Sequence, residues 1–464
     1  MIGGLLFLLS LGATAGRSID AATGKRIRDD VHAVLDRTHT PGAVVLVVAG
    51  GKPIFEEAYG QRDVANKLPV GIDTHFEIGS ITKQFTAAAI LQLQEAGKLH
   101  IEDRLSVYLP KAPHADEITL KQMLSHTSGL PEYLDGPDIE VAARKPTDFA
   151  RILQRIDGKS LVFVPGSQWS YNNSGYLLLG RVIETVSRET YRHYLQAHIF
   201  LPLGMRDTFT VSDESHLPNM ALGYTTVDGT VQTVTPWDES YASSAGSIVS
   251  TVGDLQKWND ALTTGKVISP QSYALMSSSV MTGQGDAEYG LGLFVDQVED
   301  QPRIGHTGGS AGFTTANEYF PKQGVRIIAF TNHRANPEPG EMLTTAIFND
   351  LYPGIAAAAL HPSAGEDVAV SVRVRALFTQ LQSGQEGSAA LGAKLDAKMK
   401  DGLAKRLSDA YAPYGKPTAF TFKGRRTTPG RHWFDYVIQF GPGSLLKFGV
   451  GLDEEGKIAG LSFG

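Results

Sequence analysis

The chain has 464 residues, 42% of them apolar and 20% charged, and a net charge of -7. That length fits one large catalytic domain plus a smaller one, and the acidic balance gives no footing for nucleic acid as a partner. With no cysteine in the sequence, disulfides, thiolate metal sites and a cysteine nucleophile are all excluded.

Residues 1–15 read as an export signal: Leu5 to Leu9 is a short apolar run, and Ala13-Thr14-Ala15 is an Ala-x-Ala cleavage site. The basic n-region is missing, so a short peripheral anchor is the other reading. The expected location is exported, periplasmic or secreted. The run is too short to span a bilayer, and no later segment qualifies, so no integral membrane segment is expected.

From Lys25 to Arg37, the positions Ile27, Val31, Val34 and Leu35 draw one stripe of an amphipathic helix. Ala43 to Ala49, the Gly50-Gly51 turn and Pro53 to Gly60 then read as a β-hairpin. Phe76 to Leu91 comes next, with Phe85, Ala88, Ala89 and Leu91 at helical spacing. Ser80 opens this helix and Lys83 follows one turn later, on the same face.

Serine is a favoured N-cap, so Ser80 could simply cap the helix. A capping box would place Glu or Gln three residues on, whereas Lys83 puts a cation where the helix dipole disfavours it by about 0.3–1 kcal/mol. Catalysis explains that lysine. An amine held near positive potential sheds its proton and can activate a hydroxyl that is otherwise a poor nucleophile.

Leu99 to Leu109 reads as a loop with a short helix, and Leu120 to Pro131 as a helix ended by a turn. From there to about Trp258 the pattern is helices and loops, with little strand signal. Trp169-Ser170-Tyr171-Asn172-Asn173-Ser174-Gly175 forms a turn before an apolar helix, so Tyr171 and Asn173 can project from a loop. Strand signals return at Tyr289 to Val295, Phe313 to Phe320 and Val325 to Thr331, and a helix with Met342, Leu343, Ala346, Ile347 and Leu351 on one side closes the unit. Ile304-Gly305-His306-Thr307-Gly308-Gly309 precedes a strand, and its glycines let a substrate approach the backbone.

The expected fold class is α+β, an α/β sandwich. An antiparallel sheet pairs the early hairpin with the late strands, the first and last helices pack on one face, and the middle is an inserted all-helical lobe. Gly308-Gly309-Ser310-Ala311-Gly312 fits the Gly-x-Ser-x-Gly elbow, but that elbow needs a helix after it, and a strand follows here. No His-Glu-x-x-His spacing occurs, so neither metal nor cofactor is expected.

Ser80-Ile81-Thr82-Lys83, Tyr171-Asn172-Asn173 and His306-Thr307-Gly308, in that order, resemble the three motifs of the class C β-lactamase and penicillin-binding-protein superfamily of serine hydrolases. The resemblance spans roughly Lys25 to Tyr352. It implies that Ser80 attacks a carbonyl, that Lys83 and Tyr171 share the proton traffic, and that Asn173 orients Lys83 and the substrate. The backbone N–H groups of Ser80 and Gly309 would form the oxyanion hole, with His306, Thr307 and Gly308 positioning the substrate or its carboxylate. Whether Lys83 or Tyr171 deprotonates Ser80 is left open. Where β-lactamases of this type carry lysine in the third motif, this chain has His306, which holds less permanent charge near neutral pH. Peptidase or esterase activity on a small ester, amide or D-peptide therefore ranks above β-lactamase activity. An acyltransferase and a non-hydrolytic penicillin-binding sensor remain as alternatives.

Residues 16–353 are thus expected to form the hydrolase domain and 354–366 a linker. Residues 367–464 read as a small α+β domain: two helical stretches, then strands at Thr418 to Lys423, His432 to Phe440, Ser444 to Leu452 and Lys457 to Phe463. It carries no catalytic constellation, and a packing, dimerisation or cleft-covering role is the default.

Overall fold

The computed structural model describes residues 19–210, 217, 219–388, 390–428 and 430–463. The export signal read at 1–15 lies outside them. No helix among the described residues is long and apolar enough to cross a membrane.

The first helix, α1 (Ala21–Thr38), starts where the Asp20 side chain accepts from the Thr23 N–H at 2.9 Å, and stops where His39 turns left-handed. It buries the predicted stripe of Ile27, Val31, Val34 and Leu35. Next come β1 (Gly42–Ala49), β2 (Lys52–Asp63) and β3 (Leu68–Pro69), then α2 (Thr82–Glu95) and, further on, α3 (Asn173–Ser187). The late strands are β4 (Phe294–Val298), β5 (Gln301–Ser310), β6 (Phe313–Phe320) and β7 (Val325–Thr331), followed by α4 (Pro339–Leu351).

These strands form one seven-stranded sheet in the order β4-β5-β6-β7-β1-β2-β3. β1 lies inside it, antiparallel to both neighbours, with Val45 opposite Ala329 and Glu57. Its sequence is an unbroken apolar run because both faces of the sheet are covered. Val44, Leu46 and Val48 face the helical lobe with Phe85, Ile328 and Phe330, while Ala43, Val45 and Val47 face α1 and α4 with Ile27, Val34 and Leu343. Helix α2 is buried nearly all round, and its Phe85 ring stacks on Trp258 at 3.9 Å.

Four details differ from the sequence reading. The third motif lies within strand β5 rather than before a strand. The strand expected from Tyr289 begins only at Phe294, because Gly292 takes a left-handed turn with φ 77° in its path. The middle region also holds short strands. Phe76–Glu77, Ile248–Ser250 and Phe209–Thr210 pair together, and Tyr224–Val227 turns back on Thr230–Thr233 through Asp228-Gly229. Both turn residues have positive φ, the signature of a tight two-residue hairpin. Finally, the stretch read as a linker begins with the helix Pro353–Ala359.

Beyond it, α5 (Val368–Gln382) and α6 (Ala404–Tyr411) pack on a four-stranded sheet of β8 (Ala419–Thr428), β9 (Arg431–Gln439), β10 (Leu445–Leu452) and β11 (Ile458–Phe463). Val374, Phe378, Tyr436, Phe448 and Val450 form its separate core. Polar contacts from Arg37 and Asn336 help tie this unit to the rest. Arg37 donates to the Phe440 and Pro442 carbonyls at 2.9 and 2.6 Å, and Asn336 Nδ2 donates to the Asp409 and Ala410 carbonyls at 3.3 and 3.1 Å.

Candidate active site

Ser80 sits in a single 3-10 turn, Gly79–Ile81, that leads into α2, and no side chain caps this turn. Ser80 is therefore not spent as a cap, and its hydroxyl is available. The turn lies directly against β5. A Cβ on Gly79, which has φ 50°, would come within 2.8 Å of the Gly309 nitrogen and oxygen, and one on Gly308 within 2.0 Å of the Ile78 carbonyl. Only glycines let the two backbones approach so closely, and the approach brings the Ser80 and Gly309 peptides side by side.

Lys83 is fully buried. Its Nζ has three oxygens around it: Ser80 Oγ at 3.0 Å, Asn173 Oδ1 at 2.8 Å and the Ala245 carbonyl at 2.9 Å. Two of these can only accept, so they take two N–H bonds of the amine. The third position can work in either direction: a neutral amine keeps one lone pair, and that pair points at the Ser80 hydroxyl. Burial pulls the Lys83 amine down to about 7, with the Glu132 carboxylate opposing. The favoured form near neutral pH is thus on the edge of being a base.

Tyr171 stands on the other side, with its ring centroid 4.8 Å from Lys83 Nζ. Its hydroxyl is buried and makes no hydrogen bond of normal geometry. Burial pushes the phenol well above its usual value, the adjacent Ser80 hydroxyl acts against that rise, and the charges of Glu132 and Glu338 add to it. Tyr171 therefore stays protonated where Lys83 does not.

The structure brings Ser80, Lys83, Tyr171, Asn173, Gly308 and Gly309 together, and places Thr307 half-buried on β5. His306 is different. It is 2% exposed, its Nδ1 lies 2.5 Å from the Thr307 carbonyl, and its Nε2 lies 2.9 Å from the Tyr289 hydroxyl. Nδ1 must donate to that carbonyl, so Nε2 accepts from Tyr289 and the ring is neutral. Burial, with Lys83 nearby, holds it down to about 3. Both ring nitrogens are thus engaged within the protein, at the position where the resemblance implies a contact to the substrate or its carboxylate. Ser310 ends β5, and Ala311-Gly312 turns straight into β6, so no nucleophile elbow forms there. His126 accepts from the Asn172 N–H at 3.1 Å and so joins its own turn to the loop that carries Tyr171 and Asn173.

Two contributors were not singled out from sequence. Glu132 Oε2 accepts from the Asn173 backbone N–H at 2.6 Å and from Asn173 Nδ2 at 3.2 Å, while Oε1 accepts from the Leu134 N–H. By holding the amide nitrogen, Glu132 turns the Asn173 oxygen toward Lys83. The only signal was an acidic residue just after Gly129-Leu130-Pro131. The Ala245 carbonyl was invisible, since any residue supplies one. The Glu132→Ala variant is expected to lose on the order of 10²-fold in kcat/KM on a chromogenic ester, the scale of a small misplacement of reacting groups. Its pH midpoint should also move down, because the charge that favours the Lys83 ammonium is gone.

The β-lactamase family pattern matches residues 27–351. The chain is 32% identical over 299 residues to PbpX of Bacillus subtilis (strain 168), a protein named as a penicillin-binding protein, covering 64% of this chain and 72% of that one. A D-stereospecific amidohydrolase from Streptomyces sp. superposes with a TM-score of 0.59 at 26% identity, over 68% of this chain and 94% of its own. The octameric penicillin-binding protein homologue from Pyrococcus abyssi shares the fold, with a TM-score of 0.62 at 20% identity over 93% of this chain and 96% of its own. With the matching motifs arranged around one serine, the chain belongs to the β-lactamase family.

Proposed function

We propose that this chain is a serine hydrolase that works through an acyl-enzyme on a small amide or ester, of the D-amino-acid amide or peptide type. The observation that carries it is the trio of oxygens around Lys83 Nζ: Asn173 Oδ1 and the Ala245 carbonyl take the two N–H bonds of the neutral amine, which leaves its lone pair for the Ser80 proton. Lys83 takes that proton as the Ser80 oxygen bonds to the substrate carbonyl carbon. The resulting oxyanion lies between the Ser80 and Gly309 N–H groups, each worth about 2.7–4 kcal/mol in other hydrolases. As the C–N or C–O bond breaks, Tyr171 gives its proton to the leaving group and regains one from Lys83. Water then repeats the cycle on the acyl-enzyme. Two groups with pKa values driven apart by one site divide the acid and base roles between them.

The similarity to a D-stereospecific amidohydrolase supports an amide substrate, and the neutral, engaged His306 argues against a strongly held β-lactam carboxylate. Export of the chain, on the strength of Leu5 to Ala15, belongs to the same proposal. Intact-mass spectrometry with a fluorophosphonate should show one adduct on Ser80, and D-amino-acid amides and simple esters should be turned over faster than a β-lactam. A stable penicilloyl adduct without turnover of any ester or amide would favour the sensor reading, and product formed only with an added acceptor would favour transfer.

A further inference from the structure

Beside the oxyanion hole lies a carboxylate to which the reaction described above gives no task. Glu338 precedes α4 at the N-cap position, yet its side chain does not cap the helix. Instead it turns toward β5, where Glu338 Oε1 lies 3.8 Å from the position a Cβ on Gly309 would occupy. Its backbone carbonyl accepts from the Met342 N–H at 3.2 Å, but among the described residues the Glu338 side chain makes neither a hydrogen bond nor an ion pair. Its charge is nonetheless felt at the Tyr171 phenol. The other acid of the site, Glu132, is saturated by the Asn173 and Leu134 donors.

A half-buried carboxylate without a donor is costly, and a cationic partner would remove the cost. Arg334 is near, with its Cζ 3.7 Å from the same Gly309 position, but its Nη1 donates to the Ser310 carbonyl at 3.4 Å and its side chain is exposed. It therefore softens the Glu338 charge without using the lone pairs. The loop that carries both residues is held from the far side by the Asn336 bonds to the Asp409 and Ala410 carbonyls, so the carboxylate sits on a fixed support.

We propose that Glu338 is a specificity-determining residue that accepts an ammonium group of the substrate. The preferred substrates are then amides or esters of amino acids or peptides with a free amine. This rests on the acyl-enzyme reading given above and adds to it the charge of the substrate.

The test follows the rate of fluorophosphonate labelling of Ser80 and its slowing by D-alaninamide, N-acetyl-D-alaninamide and N-succinyl-D-alaninamide, which are cationic, neutral and anionic in turn. The wild-type protein should be protected by the free amine at concentrations about tenfold lower than by the acetyl compound, the scale of one charge-assisted hydrogen bond. In Glu338→Gln that advantage should vanish, while protection by the acetyl compound and the unprotected labelling rate stay within twofold. Equal losses for the cationic and neutral ligands would overturn the proposal in favour of a purely structural Glu338. Best protection by the succinyl compound, lost in Arg334→Gln, would overturn it in favour of an anion site. If Ser80 labels but no ligand distinguishes charge, the proposal fails and the nucleophile stands. Absence of labelling would overturn the acyl-enzyme reading and this inference with it.

Discussion

Replacing Ser80 with alanine is expected to abolish fluorophosphonate labelling and to lower turnover of esters and amides by about 10⁴–10⁶-fold, the range seen when the nucleophile of a hydrolase is removed. The loss should be one of chemistry and not of folding. Ser80 caps no helix, and its hydroxyl bonds only to the Lys83 amine among the hydrogen bonds of normal geometry. Thermal unfolding of the variant should accordingly match the wild type within a few degrees, while intact mass after labelling shows unmodified protein. An adduct that persists in Ser80→Ala, at Ser310 for example, would refute the assignment of the nucleophile.

The second large effect is expected at Lys83. A Lys83→Met variant keeps the volume of the side chain and removes the amine, and kcat/KM should drop by about 10⁴-fold, the upper end of what a positioned general base contributes. In the wild type, burial disfavours the ammonium, so the fraction able to accept a proton grows with pH and kcat/KM should rise through a midpoint at about 7. Tyr171 sets no limb below that range, because its phenol is pushed in the opposite direction. Stability carries the matching sign. Between about 7 and the ordinary lysine value of 10.5 the unfolded chain holds a proton on Lys83 that the folded chain has shed, so folded stability rises with pH over that window. Lys83→Met removes this slope, and urea unfolding at pH 7 and pH 9 would show it. A variant with unchanged kcat/KM, or a wild-type profile flat from pH 6 to 8, would move the base role elsewhere.

Much of the architecture was legible because its signals are local and periodic. The α1 stripe, the β1–β2 hairpin at Gly50-Gly51 and the alternating apolar positions of β9 each follow from a repeat that one element imposes on its own residues. The active-site motifs were legible for a related reason, as Ser80, Lys83, Tyr171, Asn173 and Gly309 each stand beside a recognisable glycine, turn or helix start. What escaped was set by tertiary contact. Strand β5 was hidden because its Gly305, Gly308 and Gly309 lower every strand propensity, yet Gly308 is required where the Ile78 carbonyl presses against the sheet, and Gly305 where the Asn317 carbonyl does. The Asp228-Gly229 hairpin did carry a sequence signal, but its strands are only four residues long. Glu132 and Glu338 looked like ordinary loop acids, and their importance lies entirely in what faces them.

The placement of β1 dictates the order in which this molecule can assemble. Ala43 pairs with Thr331 on one side and Tyr59 on the other, so one neighbour is made at once and the other arrives about 290 residues later. Until β7 is synthesised, the amino-terminal hairpin has a bare apolar edge, and the shelf on which the serine and the glycine peptides meet does not exist. Such distant pairing slows closure, since a long loop must be ordered before the contacts reward it. A nascent chain therefore cannot acquire a working nucleophile until nearly three quarters of its length has been made.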